Sequence, residues 1–151
     1  MFTTVRYFIK TSIVFLVFGV LTGLHMSYSK YISESGYTQE FVSAHTHIIL
    51  VGSVMMMIMG VALWFFPRAE KDDKKYNPDL IKIVYWLMAT ATFLRFIFQL
   101  VGSYYYLPIV NTLIFIFSAF QVIAMILFFY SMWGRIRAVG SQYREAKGEK
   151  F

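Results

Sequence analysis

The three histidines of this chain, His25, His45 and His47, are its side chains best suited to metal chemistry. Neutral imidazole is a common ligand of iron, copper and zinc. The residues from Ile48 to Phe66, directly after the second and third histidines, carry no charge. An ionisable or metal-binding side chain inside a membrane helix is costly and therefore indicates a functional site. We interpret this segment as a membrane helix that ligates a metal, with haem iron as the first candidate.

Two further polar residues are predicted to lie at the same depth in the membrane. At a rise of about 1.5 Å per residue, each histidine lies a few residues inside the outer surface. Arg95 and Gln99 lie in the outer half of the third span. The planar guanidinium of arginine suits a carboxylate such as a haem propionate. We therefore predict a cofactor site where these polar groups meet.

Helical geometry separates the roles of His45 and His47. Residues two apart point about 200° apart, so both cannot ligate one iron from the same side of a regular helix. The face of His45 contains two glycines that leave room for a flat macrocycle or a close partner helix, and its members are Gly52, Met56, Met59, Gly60 and Leu63. The face of His47 is a packing or lipid-facing stripe made of Val51, Val54, Ile58 and Phe65. This difference favours His45 as the ligand.

Other interpretations of the same residues stay open. The histidines and Arg95 could hold helices together by hydrogen bonds without any cofactor. Copper is an alternative metal because thioethers are soft ligands, and methionines cluster at Met55, Met56, Met57 and Met59. A further set of polar residues could hydrogen-bond across the bundle from the fourth span, namely Asn111, Ser118 and Gln121.

The composition predicts an all-α integral membrane protein. Hydrophobic residues make up 58% of the 151 residues and charged residues 15%, too few for the polar surface of a soluble domain. The apolar runs predict a single transmembrane domain over 1–151, with spans at about 8–28, 42–66, 81–103 and 109–133. Short turns between them favour an up-down four-helix bundle. The pair Gly19 and Gly23 predicts a close helix contact.

The basic residues predict the orientation. Apart from Lys30 and the intramembrane Arg95, they lie on one side of the four spans, at Arg6, Lys10, Arg68, Lys71, Lys74, Lys75, Lys82, Arg135, Arg137, Arg144, Lys147 and Lys150. The positive-inside rule then places both termini in the cytoplasm and the protein in the inner (cytoplasmic) membrane. This distribution explains the net charge of +6 without a nucleic acid partner. The absence of cysteine excludes thiolate sites and thioether-attached haem.

Helix boundaries are marked by residues that start and stop helices. Proline is expected to end the second span at Phe66-Pro67. Asn77-Pro78 is typical of a helix N-cap followed by proline in the first turn. Residues 29–40 are expected to be a polar loop, 68–79 a charged linker, and Tyr104 to Pro108 a short turn.

The second span resembles the second transmembrane helix of the haem–copper oxidase catalytic subunits. The similarity lies in Ala44-His45-Thr46-His47, followed by Gly52, Met59-Gly60 and Phe66-Pro67, and is greatest to the branch of nitric oxide reductases and C-type oxidases. The resemblance implies that His45 corresponds to a low-spin haem b ligand and that His47 replaces an asparagine. In that family the remaining haem and copper ligands come from later helices. We therefore expect haem b binding without an oxygen- or nitric-oxide-reducing centre.

The predicted function is one-electron transfer by a b-type cytochrome in a respiratory context, with His45 and His25 as axial ligands. His47, a histidine of a second subunit, or nothing are the alternatives for the sixth ligand. A five-coordinate haem would instead indicate a gas sensor or a haem-transfer factor. A cofactor-free or copper-binding assembly subunit is the other class. Expected partners are lipid, a quinol or a periplasmic redox protein, and a second copy in a homo-oligomer. No nucleophile–base pair or intramembrane carboxylate pair indicates enzymatic turnover.

Overall fold

Four long helices form the fold in this computed structural model, which describes residues 2–66, 77–136, 140, 143–144 and 147–148. They are α1 (Phe2–Tyr31), α2 (Gln39–Phe65), α3 (Pro78–Tyr104) and α4 (Pro108–Met132), and one 3₁₀ turn follows at Trp133–Arg135. The described residues contain no strand. The all-α prediction with four spans is confirmed. The main difference is α1, which begins and ends several residues beyond its predicted span.

Capping residues explain where α2 and α3 begin. The Thr38 hydroxyl accepts a hydrogen bond from the backbone N–H of Phe41 at 3.2 Å. The side-chain oxygen of Asn77 accepts from the N–H of Asp79 at 2.8 Å, and Pro78 occupies the first turn. The N-cap prediction at Asn77-Pro78 is therefore confirmed. The predicted stop at Pro67, most of the charged linker and part of the basic tail lie outside the described residues.

The central part of α2 is π-helical from Ile48 to Met55, between α-helical segments at Gln39–His47 and Met56–Phe65. Its buried residues recur every four positions, at Ala44, Ile48, Gly52 and Met56. In a regular α-helix each such step would overshoot a full turn by about 40°. The wider i→i+5 turn removes this drift and keeps the four residues on one buried line.

This change of pitch alters the predicted faces of α2. The buried face contains the predicted members Gly52, Met56, Met59, Gly60 and Leu63. Ala44 and Ile48 continue this buried line toward the start of α2, whereas His45 lies beside it and is half-buried. His47 is also half-buried and contacts α3, so packing is the one observed of the two alternatives, packing and lipid contact, that were predicted for its face.

Close packing at glycines joins α1 to α2. A Cβ atom at Gly19 would overlap the Ile49 side chain, and one at Gly23 would lie 2.8 Å from Cε1 of His45. The predicted close contact at Gly19 and Gly23 is confirmed, and the contact is with α2 of the same chain. Near the other end of the bundle, the Phe8 ring lies edge-on to Tyr85 and Phe128, at centroid distances of 5.2 and 6.4 Å.

The outer surface of the bundle is apolar along its length. Each helix is long and hydrophobic enough to span a membrane. In the most hydrophobic window of α4 only 17% of the residues are buried, and the exposed side chains include Ile109, Phe115, Ile126 and Phe129. Such a surface is stable only in contact with lipid or another apolar partner. The chain is therefore an integral membrane protein whose helices contact lipid.

Candidate functional site

A polar cluster between α2 and α3 is centred on His47. Its Nδ1 donates to the backbone carbonyl of Ser43 at 2.8 Å, and its Nε2 accepts from Nη2 of Arg95 at 2.9 Å. A carbonyl can only accept and a guanidinium can only donate, so the proton of a neutral ring must be on Nδ1. Both ring nitrogens of His47 are therefore occupied.

The cluster extends from Arg95 to α4. Nη1 of Arg95 donates to Oε1 of Gln121 at 2.8 Å, and Nε2 of Gln121 donates to the Thr92 hydroxyl at 2.9 Å. Gln121 and Thr92 are both buried. Within the described part of the chain, Arg95 has no carboxylate at ion-pair distance. The positive charge is thus held by two neutral acceptors on neighbouring helices.

Gln99 extends the same cluster by one helical turn toward the C-terminal end of α3. It is 1% exposed, and its Nε2 donates to the Ser43 hydroxyl at 2.7 Å. The Ser103 hydroxyl donates to the backbone carbonyl of Gln99 at 2.9 Å. Two buried side-chain atoms of the cluster have no hydrogen-bond partner among the described residues, Nε of Arg95 and Oε1 of Gln99.

His45 faces α1 instead of this cluster. Its Nδ1 lies 3.0 Å from the carbonyl oxygen of Gly19, and its ring packs on Gly23. Because the carbonyl only accepts, Nδ1 carries the hydrogen and Nε2 keeps its lone pair. Among the described residues Nε2 has no hydrogen-bond partner. His45 lines a cavity of about 260 Å³ together with Gly23, Met26, Ser27, Lys30, Tyr31 and Tyr37.

His25 is exposed and lies at a different cavity. Its Nε2 is 3.5 Å from the Ser29 hydroxyl, and its ring centroid lies 5.2 Å from that of Phe41. The cavity measures about 630 Å³, and its other lining residues are Tyr28, Ser29, Ser33, Ser35, Gly36, Tyr37, Thr38, Phe41, Ser103 and Tyr104. Tyr37 lines both cavities, whereas His25 and His45 each line only one.

The space at Gly52 is filled by neighbouring helices. A Cβ atom there would lie 2.9 Å from Phe15 and 3.0 Å from Thr92. Of the two alternatives predicted for this glycine, the close partner helix is the one observed. The methionines nearby also pack inside the bundle, since Met56 and Met59 belong to the hydrophobic core.

The predicted polar site residues therefore separate into three groups. His47, Arg95 and Gln99 meet in one hydrogen-bonded cluster, His45 lies against α1, and His25 lines the larger cavity. Within the described ranges, no three His, Cys, Asp or Glu side chains are grouped so that they could hold a metal ion. An imidazole whose Nδ1–H is held by a carbonyl is the usual arrangement of a metal-ligating histidine. The donor chemistry of His45 thus fits a single axial ligand.

Sequence reasoning only partly anticipated the cluster. The hydrogen bonds of Gln121 to α3 confirm that it bonds across the bundle, although it was not among the predicted site residues. Ser43 and Thr92 were missed. Ser43 precedes His47 by four residues, a spacing that brings side chains together on a helix and could have indicated it.

Comparison with known families gives a match. The family model described as cytochrome c and quinol oxidase polypeptide I matches residues 3–149, nearly the whole chain. Neither the curated proteins nor the solved structures contain a match.

Proposed function

The chain belongs to the cytochrome c and quinol oxidase polypeptide I family, and on that premise we propose that it binds haem b and transfers single electrons in a respiratory membrane. The observation that carries the proposal is the contact between Nδ1 of His45 and the Gly19 carbonyl, at 3.0 Å. This contact fixes the tautomer that leaves Nε2 able to ligate iron. A haem held by imidazole supplies a one-electron couple whose potential depends on its ligands, hydrogen bonds and burial.

The residues around His45 would contribute in three ways. Gly19 orients the ring through its carbonyl, and Gly23 allows α1 to approach the ring closely. Lys30 lines the same cavity and offers a positive charge to a carboxylate. We assign the propionate-facing cation to Lys30 because Arg95 already donates to His47 and Gln121.

The enclosure of a haem would require more than this chain. The cavity at His45, about 260 Å³, is smaller than the roughly 300–1,000 Å³ of usual ligand pockets. We propose that lipid or a further protein chain, such as a second copy, covers the rest of the macrocycle. A quinol or a periplasmic redox protein would then exchange electrons at this end of the bundle.

Absorption spectra of the purified protein, oxidised and dithionite-reduced, test this function. The expected result is a red-shifted Soret band and an α band on reduction. Both bands should be lost in His45→Ala. The matched variant His25→Ala should keep the pigment, and a change to a high-spin spectrum would identify His25 as the sixth ligand. A colourless preparation from haem-supplied cells, or an unchanged spectrum in His45→Ala, would refute the proposal.

A five-coordinate haem is the second candidate, and the hydrogen bonds of His47 favour it. Both nitrogens of His47 are occupied, and His25 lines a different cavity from His45. One ligand from this chain would leave a coordination position open, as in a gas sensor or a haem-transfer factor. Carbon monoxide should then change the reduced spectrum at once, whereas a bis-histidine haem should resist it.

A cofactor-free assembly subunit is the third candidate, favoured by the filled space at Gly52 and the hydrogen bonds between helices. In that case His45→Ala would lower stability without loss of any pigment. Metal analysis of the same preparation would distinguish a copper site from both haem and no cofactor.

We also propose that the chain lies in the inner membrane and that both termini are on its cytoplasmic side. Arg6 and Lys10 lie in the first part of α1 and Lys82 in the first turns of α3, whereas Lys30 lies at the opposite end of α1. The chain contains no cysteine, so single substitutions can be labelled without background. An impermeant thiol reagent applied to spheroplasts should label Ser35→Cys and leave Lys147→Cys unlabelled. The reverse pattern would refute the orientation.

A further inference from the structure

Four residues of α2 and α3 form three sides of a hydrogen-bonded ring. Ser43 and His47 are four residues apart on α2, and Arg95 and Gln99 are four residues apart on the antiparallel α3. Gln99 donates to Ser43 at 2.7 Å, and Arg95 donates to His47 at 2.9 Å. The third side is the bond from the His47 ring to the backbone carbonyl of Ser43 at 2.8 Å. Arg95 and Gln99 form the fourth side, and no direct hydrogen bond closes it.

The two unpaired atoms belong to the residues of this open side. Nε of Arg95 is a donor and Oε1 of Gln99 is an acceptor, and each is buried without a partner among the described residues. Gln99 is 1% exposed, so bulk solvent does not reach its side chain. Nearly all buried polar atoms in proteins are paired with protein or with ordered water.

We propose that one water molecule closes the ring by accepting from Arg95 and donating to Gln99. Water can do both at once, whereas an anion would be repelled by the amide oxygen and a cation by the guanidinium. The Cβ atoms of residues four apart on a helix are about 5–6 Å apart. A water molecule with two hydrogen bonds can span a gap of this size. Buried waters commonly have two to four such partners. This site is independent of any haem at His45.

The test uses the full chain in lipid nanodiscs with ¹⁵N-labelled arginine. In water-edited solid-state NMR, the Nε–H of Arg95 should receive magnetisation from water, and a high-resolution map should show one density peak within hydrogen-bond distance of both atoms. Gln99→Met keeps the length of the side chain but removes Oε1, so the magnetisation transfer should fall at least several-fold. Ser118→Ala is the matched control, because among the described residues the Ser118 hydroxyl bonds within its own helix, to the Ile114 carbonyl at 2.6 Å.

Several results would overturn the proposal. One is a Nε–H of Arg95 that receives no water magnetisation at mixing times that fully polarise the 32–38 loop. Another is density for an anion or for part of a larger ligand. An anion can only accept hydrogen bonds, so it would require the Gln99 amide to be rotated with Nε2 in the place of Oε1. If Gln99→Met does not assemble, Arg95→Lys provides the test because it keeps the charge and removes Nε. The density should then disappear from an intact bundle, and its persistence would contradict the proposal.

Discussion

Replacement of His47 by leucine tests whether its contact with Arg95 stabilises the bundle. The variant removes the acceptor at 2.9 Å from Nη2 of Arg95 and leaves a half-buried charged group without that partner. Hydrogen bonds to charged groups contribute about 1.5–3 kcal/mol, and interhelical bonds in membranes average about 0.6 and reach about 1.7 kcal/mol. Because the Arg95 side chain is long and partly exposed, its guanidinium can reach toward water when His47 is absent, and this lowers the cost of losing the partner. We expect His47→Leu to cost about 1–2 kcal/mol.

The assay is equilibrium unfolding in mixed micelles with increasing SDS, followed by fluorescence of the three tryptophans. His25→Leu is the matched control, because His25 is exposed and its nearest polar contact is 3.5 Å away. Its cost should stay within about 0.5 kcal/mol. If haem is bound through His45, the His47→Leu protein should also keep its pigment.

A double-mutant cycle separates this contact from general effects of the substitutions. In the Arg95→Met background, His47→Leu should cost about 1 kcal/mol less than in the native chain, since the charged donor is already absent. Equal costs in both backgrounds, or a loss no larger than that of His25→Leu, would refute the assignment of His47 as the acceptor that holds Arg95.

Two further predictions concern packing and a helix end. Gly19→Ala should cost about 1–3 kcal/mol in the same unfolding assay, because the added Cβ would overlap Ile49. Gly102→Ala is the control, because its added Cβ would lie 3.4 Å from the nearest neighbouring atom, and it should be neutral or up to about 1 kcal/mol more stable. Equal effects would contradict the close contact of α1 and α2. The buried Arg135 donates to the carbonyls of Leu63 and Phe66, at and just after the end of α2, at 3.2 and 3.1 Å. Arg135→Met should therefore raise hydrogen exchange over residues 62–66 and leave exchange at the start of α2 unchanged.

The sequence by itself determined the number of the helices and the approximate position of each along the chain. A bilayer requires about 20 apolar residues per span, so four long apolar runs separated by polar or turn-forming residues have one simple interpretation. Asn77 and Pro78 marked the start of α3 because capping depends on local residues. The depth of polar groups followed from the rise per residue, and this placed His47 and Arg95 in the same layer.

Only the tertiary structure decided which way these side chains point. The direction of a side chain depends on the rotation of its helix, and the π-helical turns of α2 change that rotation after His47. No short-range pattern reveals such turns, because they depend on what packs against them. The result is that His45 contacts α1 and His47 contacts α3. The sequence had left open whether the face of His47 packs in the bundle or faces lipid. Gln121 joined the cluster because α4 packs against α3 with this side chain toward Arg95 and Thr92, and the rotation of α4 was likewise decided by packing.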